Sequence, residues 1–291
     1  GTGMSTFAPM PSAPYPTASS TWNDPTVWIW VPHGLAPPFA TVTHLHGHYA
    51  IVKDMLKSKK LPELIAASGR NAVVLVPQGP ENAASGDFGR LMDTGAHEAL
   101  VRDVLAVGYR DGFITVPDTD GVVLTSHSGG YRATAKIIEH GGLTVDEVHL
   151  YDSLYGEVDT FEDFVVGGGV LRSNYTTNGG TLTENQGLSS TLKGAGITVD
   201  DDFSDGALRT VPATIGHSPS THSAIMSDER NYCRWLQAAL PPSDWAPPEL
   251  LTVDSDGSQA VVTWRDEGND GVVEGSTDGV TFTELGRGST P

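Results

Sequence analysis

A serine flanked by small residues follows an apolar run, in the order Ser126-His127-Ser128-Gly129-Gly130. The run at residues 121–125 predicts a buried strand, and the stretch after it predicts a helix. A tight turn between a strand and a helix presents a serine hydroxyl above the sheet, and small neighbours two positions away avoid a clash. Ser126 stands where glycine is usual. The pattern makes Ser128 a candidate nucleophile; the alternative is a glycine-rich turn without chemistry.

A serine nucleophile needs a base that takes its proton and an acid that orients the base. Two histidines, His217 and His222, lie between the last predicted strand and the last predicted helix. His222 is nearer the helix, and either histidine is a candidate base.

The acid is expected at the carboxyl edge of the sheet, where the serine also lies. Asp152 closes the predicted strand 147–152. The next predicted strand, 169–175, is followed by no carboxylate before Glu184. We therefore take Asp152 as the acid, with Asp159 and Glu184 as alternatives. The simpler interpretation of Asp152 is an aspartate that only caps its turn.

Three alternating histidines, His44, His46 and His48, stand at the end of the predicted strand 40–45. Such a pattern can bind zinc. No other cluster of ligand residues completes a site, so we expect no metal and no other cofactor.

Glycine in the pair His46-Gly47 lets the backbone turn and direct an N–H group at a developing oxyanion. The predicted oxyanion donors are therefore the N–H groups of Gly129 and of His48 or Tyr49.

Runs rich in β-branched and aromatic residues predict strands, and apolar stripes of helical period predict helices. The predicted strands cover residues 26–31, 40–45, 72–77, 121–125, 147–152, 169–175 and 210–215. The predicted helices cover residues 52–67, 96–107, 130–139, 184–193 and 223–240. Alternation of the two predicts the α/β class, a mostly parallel sheet with helices on both faces.

These features resemble the α/β-hydrolase superfamily, on the turn at Ser128, the His46-Gly47 pair and the late histidine. The resemblance covers residues 17–240. It implies an esterase- or lipase-like serine hydrolase whose catalytic triad runs Ser128, Asp152, His222 along the chain. In this superfamily the base lies just before the last helix, so the resemblance favours His222 as the base, with His217 as the alternative.

Four segments are expected. Residues 1–16 predict an irregular start, in which Gly1-Thr2-Gly3 before Met4 resembles an expression scar. Residues 17–240 form the catalytic domain, and 241–248 a proline-rich linker. Residues 249–291 predict a small all-β segment, which resembles part of a fibronectin type III sandwich on its alternating strands and an inward Trp264.

The composition is acidic, with 36 Asp and Glu against 17 Lys and Arg and a net charge of −19. Nucleic acids are bound by clustered cations, so no nucleic-acid partner is expected. No apolar run is long enough to span a membrane, and no signal peptide is visible. Cys233 is the only cysteine, which excludes an internal disulfide and a cysteine zinc site.

The function that follows is hydrolysis of a small-molecule or polymeric ester through a covalent acyl-enzyme. The alternatives are an amidase or peptidase with the same triad, a binding module without catalysis, and a metal-dependent hydrolase. The fibronectin-like tail favours a secreted or cell-surface bacterial enzyme.

Overall fold

The computed structural model describes residues 3–14, 24–81, 86–228 and 230–243, and the backbone of four later strands. The chain divides into two compact units, Gly1–Ser243 and Asp244–Pro291. None of the described helices combines the length and apolar character needed to cross a membrane.

One sheet organises the first unit. Its described strands lie in the order β1-β2-β4-β3-β5-β6-β7-β9-β8. β1 and β2 are antiparallel to their neighbours, and the other strands pair in parallel. The strands are β1 (Gly3–Pro9), β2 (Thr26–Pro32), β3 (Ala40–Leu45), β4 (Ala72–Pro77), β5 (Gly121–His127), β6 (Glu147–Tyr151), β7 (Val170–Tyr175), β8 (Val199–Asp200) and β9 (Ala213–His217).

Helices cover both faces of this sheet. The described helices are α1 (Val52–Ser58), α2 (Leu61–Ser68), α3 (Ala96–Arg110), α4 (Tyr131–His140), α5 (Val158–Val166), α6 (Leu182–Gly194), α7 (Asp205–Thr210) and α8 (Tyr232–Ala239). Residues of α3, α4, α5 and α6 pack in one apolar cluster, and residues of α1, α2, α7 and α8 pack in another. Alternate residues of β4 enter the two clusters, because successive side chains of a strand point to opposite faces. The predicted fold class is confirmed.

Two expectations near the start are wrong. Residues 1–16 were expected to be irregular, but Gly3–Pro9 forms β1 and pairs with β2. Most residues of β1 are exposed at the sheet edge, so the strand lacks the apolar alternation that would predict it. The single helix 52–67 is two helices, because Lys60 adopts a left-handed conformation (φ 53°) and Pro62 lies in the first turn of α2.

Two expectations near the end are also wrong. The strand expected at 210–215 begins at Ala213, and α7 occupies residues up to Thr210. The helix expected at 223–240 begins at Tyr232, and residues 222–227 form turns. Polar side chains bind the backbone here, as Asn231 Nδ2 does to the Ile225 carbonyl at 2.8 Å, and such bonds compete with a helix.

The second unit contains one antiparallel sheet whose strands pair in chain order. They are β10 (Glu249–Ser255), β11 (Ala260–Asp266), β12 (Asn269–Gly275) and β13 (Phe282–Arg287). The expected inward side chain of Trp264 lies outside the described part of the chain. The resemblance of this unit to part of a fibronectin type III sandwich stays a prediction.

Candidate active site

Ser128 lies on a strained turn at the carboxyl end of β5. Its φ of 53° is in the left-handed region, where any residue other than glycine is strained. The turn Ser128–Gly130 leads directly into α4. A Cβ at Gly130 would collide with the Leu45 carbonyl of the neighbouring strand β3. Glycine at that position therefore permits the close approach on which the turn depends.

His222 connects Ser128 to Asp152. Its Nε2 lies 3.0 Å from Ser128 Oγ, and its Nδ1 lies 2.8 Å from Asp152 Oδ2. With the proton on Nδ1, His222 donates to the carboxylate and accepts the serine hydroxyl proton at Nε2. The structure thus brings together the three residues that the sequence analysis selected as nucleophile, base and acid.

Asp152 is buried, and hydroxyl groups surround its carboxylate. Oδ2 accepts a hydrogen bond of 2.6 Å from Thr176, and Oδ1 accepts one from Thr181. Burial alone would raise the pKa of Asp152, but the hydrogen bonds from His222, Thr176 and Thr181 outweigh it and hold the pKa below its usual value. The carboxylate therefore remains ionised beside His222.

The loop that follows β7 supplies both threonines. A Cβ at Gly179, in the same loop, would overlap the Asp152 carboxyl group, so this loop packs directly on the acid. Sequence reasoning noted that the loop lacks a carboxylate but missed Thr176 and Thr181. Their signal was a hydroxyl-rich loop after the strand next to Asp152.

Two further serines, Ser126 and Ser153, make hydrogen bonds that stabilise the turn at Ser128. Ser153 Oγ donates to the Ser128 carbonyl at 2.7 Å, and Ser126 Oγ lies 2.9 Å from Ser153 Oγ. Because the Ser153 proton is used on the carbonyl, Ser126 donates to Ser153. This bond gives Ser126 a role at the position where the pattern usually has glycine.

Tyr155 is a site residue that the sequence analysis missed. Its hydroxyl donates to the Gly179 carbonyl and contacts the Ser128 side chain. Burial and the nearby charge of Asp152 raise the pKa of Tyr155 to about 12, so it stays protonated. It stands three residues after Asp152 in the loop that follows β6.

His127 packs against the base. The two rings lie 4.8 Å apart between centroids, and His127 Nε2 donates to the His222 carbonyl at 2.9 Å. Burial lowers the pKa of His127 to about 3, so the ring is neutral. His127 therefore holds the backbone of the base without competing for protons.

The alternative base and acids lie elsewhere. His217 is exposed and its Nε2 lies 3.1 Å from Thr177 Oγ1. Asp159 is exposed in the first turn of α5, and Glu184 lies in the first turn of α6. The carboxylate that contacts His222 is Asp152.

The candidate oxyanion site lies between Gly47 and the turn at Ser128. A Cβ at Gly47 would approach Ser128 Cβ to 2.7 Å, so the backbone after β3 runs against the nucleophile. Tyr49 is corrected as a donor, because its N–H donates to the Glu81 carbonyl at 2.6 Å. The N–H groups of His48 and Gly129 stay the candidate donors.

Two of the alternating histidines, His44 and His46, make hydrogen bonds to neighbouring segments at the carboxyl edge of the sheet. His46 Nδ1 donates to the Gly47 carbonyl at 2.8 Å, and its Nε2 accepts from the Gly79 N–H at 2.9 Å. Burial lowers the pKa of His46 to about 4. His44 Nδ1 lies 2.8 Å from Thr125 Oγ1. Within the described residues, no group of three or more His, Cys, Asp or Glu side chains is arranged to hold a metal ion.

A pocket of about 360 Å³ opens beside the nucleophile. Its lining includes apolar, aromatic and charged side chains from the loop after β3, from α1 and from the His222 loop. They are His48, Tyr49, Ile51, Asp54, Met55, Lys59, His127, Ser128, His222 and Ser223, among others. A substrate in this pocket would meet both Ser128 and His222.

Comparison with solved structures identifies the fold. Fluorophosphonate-binding serine hydrolase F of Staphylococcus aureus matches with a TM-score of 0.50 and 11% identity, over 81% of this chain and 99% of that one. With the sheet order and the helices on both faces, this likeness shows the α/β-hydrolase fold.

Two S-formylglutathione hydrolases are also similar. That of S. aureus matches with a TM-score of 0.49 and 10% identity, over 81% of this chain and 98% of that one. That of Agrobacterium tumefaciens matches with a TM-score of 0.45 and 10% identity, over 82% and 96%. A scan against known protein families finds no match, and no curated protein matches the sequence.

Proposed function

We propose that this protein is a serine hydrolase that cleaves carboxylic esters through an acyl-enzyme. The observation that carries the proposal is the unbroken hydrogen-bonded series from Ser128 Oγ through His222 to Asp152. A serine hydroxyl with a base at Nε2 and an ionised acid at Nδ1 is the arrangement that activates a serine for acyl transfer.

In the first half of the reaction, Ser128 Oγ attacks the ester carbonyl while His222 Nε2 takes the hydroxyl proton. The N–H groups of Gly129 and His48 stabilise the oxyanion. When the tetrahedral intermediate collapses, the bond to the alcohol breaks and His222 returns the proton to the leaving oxygen. Water then attacks the acyl-serine in the same manner, which releases the acid and restores Ser128.

The ionised Asp152 stabilises the imidazolium that forms on His222 in each half of the reaction. Because Thr176 and Thr181 complete its hydrogen bonds, the carboxylate also fixes the orientation of the ring. Serine hydrolase F of S. aureus, which shares the fold, is named as a fluorophosphonate-binding serine hydrolase, and this supports the proposal of a reactive serine in this chain.

The test compares 4-nitrophenyl butyrate with the 4-nitroanilide of butyric acid, which present the same acyl group as an ester and as an amide. We expect turnover of the ester, little of the anilide, and a loss of at least about a thousandfold in Ser128→Ala. His217→Ala is the matched control and should retain nearly the wild-type rate. Faster cleavage of the anilide would favour an amidase, and full activity of folded Ser128→Ala would contradict the proposal.

A metal-dependent hydrolase predicts a different response. Both ring nitrogens of His46 are engaged in protein hydrogen bonds, so the histidine cluster has no open ligand position there. Dialysis against EDTA should therefore leave the rate unchanged. Loss of the rate with recovery on added zinc would favour the metal-dependent alternative.

A further inference from the structure

Lys59 ends α1 and enters the pocket that holds the nucleophile. It follows the last residue of the helix, and it lines the same cavity as Ser128 and His222. Its charge acts on the buried edge of the site, because it contributes to lowering the pKa of both His127 and His44. A cation therefore lies close to the reacting atoms in a protein whose net charge is −19.

This cation has no carboxylate partner among the described ion pairs of the chain. The Lys59 ammonium group donates to the Ser223 carbonyl, next to the base. An ammonium carries three donors, and this bond uses one of them. Partial burial lowers the pKa of Lys59.

Asp54 is the other charged residue in the pocket lining. It is exposed on α1 and makes no ion pair with Lys59 among the described contacts. A partly desolvated cation without a counter-ion is stabilised when a ligand supplies the negative charge.

We propose that Lys59 binds an anionic group of the substrate, so that the preferred substrates are esters that carry a carboxylate on the acyl or the alcohol part. This inference rests on the proposed ester hydrolysis at Ser128. It assigns Lys59 as a specificity residue, in contact with substrate, while Ser128, His222 and Asp152 perform the bond cleavage.

Two pairs of substrates test it. The acyl pair is 4-nitrophenyl butyrate and the 4-nitrophenyl monoester of glutaric acid, which differ by a terminal carboxylate. The alcohol pair is phenyl butyrate and 4-carboxyphenyl butyrate, which differ in the same way on the leaving group. The wild-type protein should prefer the anionic member of at least one pair, and added salt should weaken this preference.

Three variants separate recognition from support of the loop. Lys59→Met keeps the length of the side chain and removes the charge. It should lower kcat/KM for the preferred anionic ester by about tenfold, mainly through KM, and change the neutral ester by less than about twofold. Lys59→Arg should keep most of the preference. Lys57→Met removes the same charge from an exposed position of α1 outside the pocket lining, and should change neither ester.

Each contrary result has a distinct meaning. If wild type hydrolyses both members of each pair equally well, Lys59 does not select an anion and the inference is wrong. If Lys59→Met lowers kcat equally for charged and neutral esters, Lys59 acts through its bond to Ser223, and the inference is also wrong. If wild type hydrolyses no member of either pair, the proposed function fails first, and the role of Lys59 fails with it.

Discussion

The acid and the base of the candidate site are held in different ways. Asp152 is buried at the end of a strand, and its carboxylate accepts hydrogen bonds from His222, Thr176 and Thr181. His222 begins a stretch of turns, and its side chain is 31% exposed. Lys59 and His127 donate hydrogen bonds to backbone carbonyls of this stretch, and Ser220, just before it, donates to Asp228.

The difference shows where each requirement of the reaction is met. The acid must stay charged and fixed, and a buried position with several donors provides this. The base must exchange protons with serine, leaving group and water, and a loop at the pocket opening gives it that access. We therefore expect substitutions of Asp152 and of its hydrogen-bond donors to have larger effects on activity than substitutions of the side chains that hold the His222 loop.

The largest effect is expected for Asp152→Asn. The amide can hold His222 in the wrong tautomer and cannot stabilise the imidazolium, so kcat/KM should fall by about ten-thousandfold. Esterase assays with Asp159→Asn as the matched control measure this. A rate near wild type for Asp152→Asn, with a collapse in Asp159→Asn or Glu184→Gln, would move the acid to another element.

Low pH should destabilise the fold by protonating two buried histidines, His46 and His97, before it changes the charge of Asp228 in the loop. Burial lowers the pKa of His46 and His97 to about 4, from 6.5, so the unfolded chain binds more protons. The stability they contribute is complete above pH 6.5 and is lost as the pH falls towards 4. From pH 7 to pH 5, each should cost about 2 kcal/mol of unfolding free energy. Asp228 in the loop has a pKa of about 2 and stays charged.

Urea unfolding at the two pH values measures this loss. Because His97→Gln removes one of the titrating groups, it should reduce the pH-dependent part by about 2 kcal/mol. An unfolding free energy that is equal at pH 7 and pH 5 would show that these histidines are not held neutral by burial.

Removing the threonine donors should have an intermediate effect. Thr176→Val and Thr181→Val each take one hydrogen bond from the Asp152 carboxylate and keep the side-chain shape. Each should lower kcat/KM by about tenfold, because a hydrogen bond to a charged group is lost. Thr177→Val is the control in the same loop. Wild-type rates for both threonine variants would mean that His222 alone fixes the acid.

The smallest effect is expected in the loop. Ser220 Oγ donates to Asp228 Oδ2 at 2.5 Å, and this bond connects the residues on either side of the turns at 222–227. Ser220→Ala should lower kcat by about threefold, since one partly exposed hydrogen bond contributes little. A loss as large as that of the threonine variants would show that the loop is as strictly held as the acid.

The sequence predicts the strand ends well and the loops poorly. Ser128 and Asp152 follow apolar runs that local composition identifies, and both lie where parallel strands end. Thr176 and Tyr155 meet at the site because the folded chain brings separate loops together. The hydroxyl-rich loop after β7 is a local signal for Thr176, but it does not specify the contact with Asp152. The composition of residues 223–231 predicts a helix, but residues 222–227 form turns, and the side chains of Asn231 and Asp228 bind backbone groups there.

The edge strand β1 was also missed by the sequence analysis. β1 is exposed, so its residues carry little of the apolar pattern that strands usually show. Its place is set by backbone pairing with β2, which sequence periodicity does not encode. The division of the helix at Lys60 also depends on a single left-handed residue, and only Pro62 marked it in the sequence.

Covalent labelling tests the central claim most directly. A fluorophosphonate probe reacts with a serine that an adjacent base has activated, and digestion followed by mass spectrometry locates the adduct. We predict one adduct, on the peptide that contains Ser128, and none in Ser128→Ala; His222→Ala should label far more slowly. Absence of labelling in the folded wild-type protein, or an adduct on another residue, would contradict the assignment of Ser128 as the nucleophile.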